Sequence, residues 1–258
     1  MRTFVTIRTK SLVRLSANKS HGPPEALCFD LDETLLDGSR FAESVVATCA
    51  ALADAVPTLD RDQLIEANNA AFAKLSPETI DDWTLGHITG RDLSMKAWMY
   101  TLQASGHLDD ELVDLAVSTH LICMRDTYQL FDDARALVAT ASKLQLPCAL
   151  ITNGASDTQR EKLDALNLLE WFDTLIISGE RGIAKPDASL FRAATDALGV
   201  TEGACWHIGD NLIADVGGAQ AAGLIGVWIN RHNKPRSDVV VPDIEVRSLS
   251  DLNQFLDH

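Results

Sequence analysis

Asp30 and Asp32 stand two residues apart at the end of an apolar run, Ala26-Leu27-Cys28-Phe29, and Thr34 follows two further on. A buried parallel strand that ends in a loop of carboxylates has this pattern. Side chains alternate along a strand, so Asp30 and Asp32 are expected on one side, with Thr34 beside them if the chain stays extended. Two carboxylates aimed at one spot repel unless a cation lies between them or one holds a proton. A hard divalent cation such as Mg²⁺ takes oxygen ligands, typically one or two carboxylates together with substrate phosphate. With that ion in place, one aspartate can serve as nucleophile and the other as acid and base. The structural alternative for the same residues is a surface loop with an Asx turn or a helix cap.

Positioning such a loop requires a sheet, and from Tyr128 onward the sequence alternates in βα units. A helix from Asp132 to Leu144 leads to a strand from Pro147 to Thr152, and a helix from Ala155 to Leu166 to a strand from Thr174 to Ser178. Further helices are predicted from Asp187 to Leu198, Asn211 to Ala222 and Leu249 to Leu256, with strands from Ala204 to Gly209, Leu224 to Asn230 and near Ile244. The strands read as continuous apolar runs, as strands buried between two helix layers do. Between the first strand and Tyr128 the pattern is helical. Phe41, Val45, Cys49, Leu52 and Val56 recur at helical spacing until Pro57, and Asp60 with Gln63 reads as a capping pair. Ser76-Pro77 opens another turn, a helix runs from about Arg91 to Ala104, and one more begins at Asp109. The fold class is therefore α/β, a doubly wound parallel sheet formed by residues 25–37 and 127–258, with an inserted α-helical module at 38–126 and a basic extension at 1–24.

In such sheets ligands bind beyond the carboxyl ends of the strands, where strand order reverses. The first strand presents Asp30 and Asp32 there, the second Thr152-Asn153-Gly154, and the fourth Gly209-Asp210-Asn211 with Asp215 close behind; the loop after the third carries Lys185-Pro186. A hydroxyl and amides at a helix start are a natural phosphate cradle. His87, His107, His120 and His207 have no partner at ligand spacing and are set aside.

Four motifs, DLDET at 30–34, ITNG at 151–154, KP at 185–186 and GDNLIAD at 209–215, stand in order at strand ends. In them the chain resembles the haloacid dehalogenase superfamily, hydrolases with a Rossmannoid core and, here, an inserted helical cap of the C1 type. The runs after ITNG and around GDNLIAD are similar to N-acylneuraminate-9-phosphatase-like and nucleotidase-like members of its phosphatase branch. The resemblance implies Mg²⁺-dependent hydrolysis of small phosphomonoesters through an aspartyl-phosphate. Asp30 would be the nucleophile and a metal ligand. Asp32 would give its main-chain carbonyl to the metal and its carboxyl as general acid, then base. Thr152 and Asn153 would bind the substrate phosphate, Lys185 would pair with the phosphoryl oxygens and steady Asp30, and Asp210 would complete the metal site. Asp215 would hold either a metal-bound water or Lys185. The alternatives are a 2-haloacid dehalogenase, whose pattern lacks the second aspartate of the first motif, a phosphonatase or phosphotransferase relative, and a non-enzymatic phosphate-binding or receiver-like module, which would be about half this length. The cap would choose the leaving group, with Asp37, Arg40, Trp83, Thr84 and His87 as candidate readers.

A net charge of -15 and a pI near 4.7 argue against nucleic acid or an anionic membrane as partner and leave a small phosphorylated metabolite. No apolar run approaches the ~20 residues of a spanning helix. The cysteines are odd in number, widely spaced and never in C-x-x-C, which fits a reducing, cytoplasmic setting. Residues 1–24 carry Arg2, Arg8, Lys10, Arg14 and Lys19 among Ser and Thr and no acid at all, a composition that also fits an organellar transit peptide.

Overall fold

The computed structural model describes residues 14–15, 22–235 and 239–256. Arg14–Leu15 (β1) joins the sheet antiparallel to Ile244–Val246, while residues 1–13 and 16–21 of the basic extension, and with them the targeting reading, lie outside the described residues. The apolar run forms Ala26–Phe29 (β2), every residue of it buried. Next come Phe41–Ala55 (α1), Arg61–Phe72 (α2), Pro77–Thr84 (α3), Gly90–Ala104 (α4) and Asp110–Arg125 (α5). Their starts are set locally. Asp60, Ser76, Thr89 and Asp109 each accept a hydrogen bond from the main-chain N–H three residues on, which satisfies a donor the helix cannot pair itself. Ser76-Pro77 opens a whole helix, α3, and not just a turn. Cys49, Leu52, Leu64, Trp98, Leu102, Val113 and Ala116 form a core of the helical module's own.

The remaining chain winds on as Ala134–Lys143 (α6), Cys148–Thr152 (β3), Ser156–Ala165 (α7), Thr174–Ile177 (β4), Ser178–Arg181 (α8), Ala188–Leu198 (α9), Cys205–Gly209 (β5), Gly218–Ala222 (α10), Ile225–Ile229 (β6), Ile244–Val246 (β7) and Asn253–Leu256 (α11). The sheet order is β1-β7-β6-β5-β2-β3-β4, with every pair parallel except β1 with β7. The chain runs outward from β2 through β3 to β4, then returns to β2's other side with β5, so the order reverses at β2. Alternate residues of β2 face opposite layers: Leu27 and Phe29 pack with Leu137, Ala141 and Leu256, and Ala26 and Cys28 with Leu190, Phe191 and Ala219.

Two predicted helices differ in kind. The one expected from Asn211 to Ala222 opens as a π-helical turn, Leu212–Gly217, before α10, and the last opens as a 3₁₀ turn, Leu249–Leu252, before α11. The wide π turn, with the N–H of Val216 reaching the carbonyl of Asn211 at 3.3 Å, lets Asp215 point into the sheet end.

Inside the module His120 is buried, 3.4 Å from the Thr48 hydroxyl and edge-on to Trp98. Burial lowers its pKa from 6.5 to about 4. Between those values the unfolded chain binds a proton that the folded one does not, so stability should fall as pH drops from 6.5 to 4, by on the order of 3 kcal/mol. An NMR titration should put the His120 midpoint near 4, and replacing it by Gln should flatten that part of the stability profile; a midpoint near 6.5 would refute the assignment.

Candidate active site

A buried ammonium organises the strand ends. Lys185 Nζ donates to Asp30 Oδ1 at 2.6 Å, to Asp215 Oδ1 at 2.6 Å and to the carbonyl of Ile151 at 2.8 Å. The loop that carries it is clamped by Asn153, whose Oδ1 accepts from the N–H of Lys185 at 2.9 Å and whose Nδ2 donates to its carbonyl at 3.1 Å. The Asn153 side chain is thus spent on the lysine loop. Asp215 takes the lysine, one of the two options open from sequence, and also accepts from the Asn211 N–H at 2.9 Å and lies 3.1 Å from His207 Nε2. Its carboxyl group fills the space over Gly209, where a β-carbon would collide with it. Burial alone would raise Asp215, but Lys185 and His207 outweigh it and hold the group well below the ordinary carboxylate range. Burial would likewise lower Lys185, yet Asp215 and Asp30 keep it above its ordinary value. His207, set aside on sequence, supports this carboxylate from within β5, and its signal there was only a polar ring in an apolar strand.

Asp32 reaches the same rim by another route. The strand ends at Phe29, and Glu33 turns the chain with φ of 58°, so Thr34 does not continue the alternation. Thr34 points inward, fully buried and with no partner for its hydroxyl. Its carbonyl accepts from Arg231 at 2.9 Å, and that guanidinium also grips Asp133 and stacks on Phe131 at 3.7 Å. The Asp32 carboxylate accepts two hydrogen bonds from Lys162 Nζ, at 2.8 and 2.9 Å, and one from Gln159 Nε2 at 3.2 Å. Gln159 also donates to Thr152 Oγ1 at 2.5 Å. Both residues come from α7 and went unnoticed in the sequence, where the available signal was a Gln and a Lys three apart on a helix face that must pack on the sheet.

One carboxylate oxygen from each of Asp30, Asp210 and Asp215 falls within 4.8 Å of the others. Against these acids stand the buried Lys185 and, from the exposed side, Lys234 at 3.2 Å from Asp210. Burial raises Asp210, and raises Asp30 to about 7 despite Lys185. An all-oxygen donor set short of positive charge fits a hard divalent cation. Asp215 has both carboxylate oxygens engaged, one by Lys185 and His207 and the other by the Asn211 N–H, whereas Asp30 meets Lys185 through Oδ1 alone.

Residues 24–223 match the family model of haloacid dehalogenase-like hydrolases. The chain belongs to this family. It is 31% identical over 239 residues to the N-acylneuraminate-9-phosphatase of Mus musculus, spanning 90% of this chain and 93% of that one. It is 42% identical over 128 residues to the phosphoserine phosphatase of Thermus thermophilus, about half of either chain. Among solved structures, the HAD-hydrolase YfnB of Bacillus subtilis bound to magnesium superposes with a TM-score of 0.65 at 23% identity, over 93% of this chain and all of that one. Both of these relatives are named as phosphatases. Solved 2-haloacid dehalogenases share the fold as well.

In this haloacid dehalogenase-like hydrolase the helical module touches the core beside the second motif. Trp83 lies against Gly154, whose φ of 141° and crowded α-carbon leave no room for a side chain. The Gly154 N–H donates to Ser178 Oγ at 2.8 Å, and that hydroxyl donates to the Thr84 carbonyl at 2.5 Å, so this amide serves the seam and not a phosphate. Of the candidate readers, Asp37 bonds Ser39 and Gln129 at the hinge, Arg40 pairs with Glu43, and His87 lies 3.1 Å from Asp82. A cavity of about 200 Å³ lies between the module and α7, with Phe72, Trp83, Leu93, Trp98, Met124 and Tyr128 in its wall.

The buried Asp30 generates a pH dependence. A carboxyl whose folded pKa is raised from 3.8 to about 7 contributes stability that is present below 3.8 and lost as pH rises through 7. The metal-free hydrolase should therefore melt lower at pH 8 than at pH 5, and Asp30→Asn should reduce that difference. Calorimetry across this range checks it; an unchanged slope in the variant would contradict the raised pKa.

Proposed function

We propose that the protein hydrolyses small phosphate monoesters through a phosphorylated Asp30, with Mg²⁺ held by the carboxylates of Asp30 and Asp210 and the carbonyl of Asp32. The observation that carries this reading is the second carboxylate, Asp32, tethered by its own lysine beside Asp30. An alkoxide leaving group has a high pKa and needs a proton, whereas a halide does not, so an acid beside the nucleophile is of use to a phosphatase and idle in a dehalogenase.

In this scheme Asp30 attacks phosphorus in line with the ester oxygen, and Asp32 gives its proton to that oxygen as the P–O bond breaks. Asp32, now a carboxylate, takes a proton from water, whose oxygen attacks phosphorus and releases phosphate from Asp30. Lys185 offsets the charge of Asp30 as an anionic substrate approaches, and the hydroxyl of Thr152, already accepting from Gln159, keeps its own proton for a phosphoryl oxygen. Mg²⁺, when bound, would supply further positive charge against the phosphoryl oxygens and keep Asp30 ionised. The helical module of residues 38–126 serves as the cap that selects the leaving group. The activities named for relatives, on phosphoserine and on an acylneuraminate 9-phosphate, set the scale of the substrate: a small phosphorylated metabolite.

Turnover of p-nitrophenyl phosphate should vanish in excess EDTA and return with Mg²⁺, and Asp30→Asn should lose it altogether; full activity in chelator would sink the metal assignment. Reaction in ¹⁸O-water should label released phosphate and leave Asp30 unlabelled. Label in the Asp30 peptide would mean that water attacks the aspartyl carbonyl, as a dehalogenase requires.

A further inference from the structure

Resting on the phosphatase reading, we propose that Lys162, with Gln159, is a positioning residue for Asp32, fixing the carboxyl where it meets the leaving group. Lys162 Nζ bonds both carboxylate oxygens and so fixes the direction in which the group points, while Gln159 Nε2 on Oδ2 adds an off-axis contact that limits its rotation. The pair is lopsided. The Lys162 side chain is 8% exposed and that of Asp32 34%, so the cation is anchored in protein and the carboxylate is presented to the cleft.

Gln159, fully buried, donates from one nitrogen toward Asp32, the Thr152 hydroxyl and the Asn153 carbonyl. The acid is thereby tied to the phosphate cradle itself, so proton donor and phosphoryl group keep a fixed separation. Lys162 also lies over the ring of Phe41 at 6.0 Å, which shields its ammonium where α1 leaves the core. Lys185 has no hold on Asp32, since its three bonds go to Asp30, Asp215 and Ile151. Removing Lys162 would leave the loop carboxylate free to rotate away from its neighbour, because like charges repel.

The test compares kcat/KM for phosphates of falling leaving-group acidity, from p-nitrophenyl to alkyl, in the full-length protein with Mg²⁺. General acid catalysis is worth about 10² to 10⁴-fold. Lys162→Met should lose at least about 10²-fold on alkyl phosphates and under about 10-fold on p-nitrophenyl phosphate, and Lys162→Arg should restore much of the difference. In an Asp32→Asn background the Lys162→Met change should cost nothing more on either substrate. Equal losses on all substrates, no loss, or a full further loss beside Asp32→Asn would each overturn the proposal. Should Lys162→Met fail to fold, Gln159→Leu and Lys162→Gln carry the same comparison. A crystal structure of Lys162→Met gives a readout independent of turnover: the Asp32 carboxylate should leave its place, and finding it unmoved overturns the proposal. A parent that hydrolyses no phosphate ester would instead fail the phosphatase reading, and the position of Asp32 would still decide this one.

Discussion

The strand ends are organised by the need to satisfy one buried ammonium. Lys185 has surrendered its hydration, and a buried charge with a partner missing costs about 3–5 kcal/mol. Every group around it follows from that demand. Asp30 arrives from the end of β2, the Ile151 carbonyl from β3, and Asp215 from the π turn after β5, while Asn153 clamps the loop so that the ammonium can reach all three. Asp215 in turn needs His207 and the Asn211 N–H, and it needs Gly209 to have no side chain. Strand order reversing at β2 is what brings residues so distant in sequence to one nitrogen.

The acids outnumber the cations that face them, and the fold divides them. Lys185 serves Asp30 and Asp215, Lys162 serves Asp32, and the exposed Lys234 pairs with Asp210. The strand ends are thereby left with an excess of negative charge among the described residues. Segregation also keeps Asp32 separate from the cluster that pairs with Lys185, so the two carboxyl groups sit in different electrostatic surroundings.

Helix α7 belongs to the site and to the seam at once. Gln159 and Lys162 turn inward to Asp32. From other faces of the same helix, Asp157 accepts from the Gly90 N–H, Thr158 accepts from Trp83 Nε1 at 3.4 Å, and Asp164 pairs with Arg125. The module thus rests on the helix that holds the Asp32 carboxylate, and these contacts are hydrogen bonds and ion pairs.

Local chemistry was legible in the sequence wherever the cause lies within a few residues. Apolar runs became strands, capping residues opened helices where their spacing said, and Asp30, Asp210 and Lys185 were recognisable because each follows a strand or its loop in a distinctive short motif. Burial periodicity and backbone hydrogen bonding are properties of neighbours in the chain, so neighbours reveal them. Which lysine meets which carboxylate is not such a property. Lys162 lies 130 residues from Asp32 and Lys185 lies 155 from Asp30. Thr34, expected beside the acids, turned inward because Glu33 left the extended region, the Gly154 amide, expected on phosphate, went to Ser178, and the side chain of Asn153 went to the Lys185 loop. Those pairings depend on strand order, on the rotation of α7 about its axis and on the desolvation each buried charge must recover, and these exist only once the chain has folded.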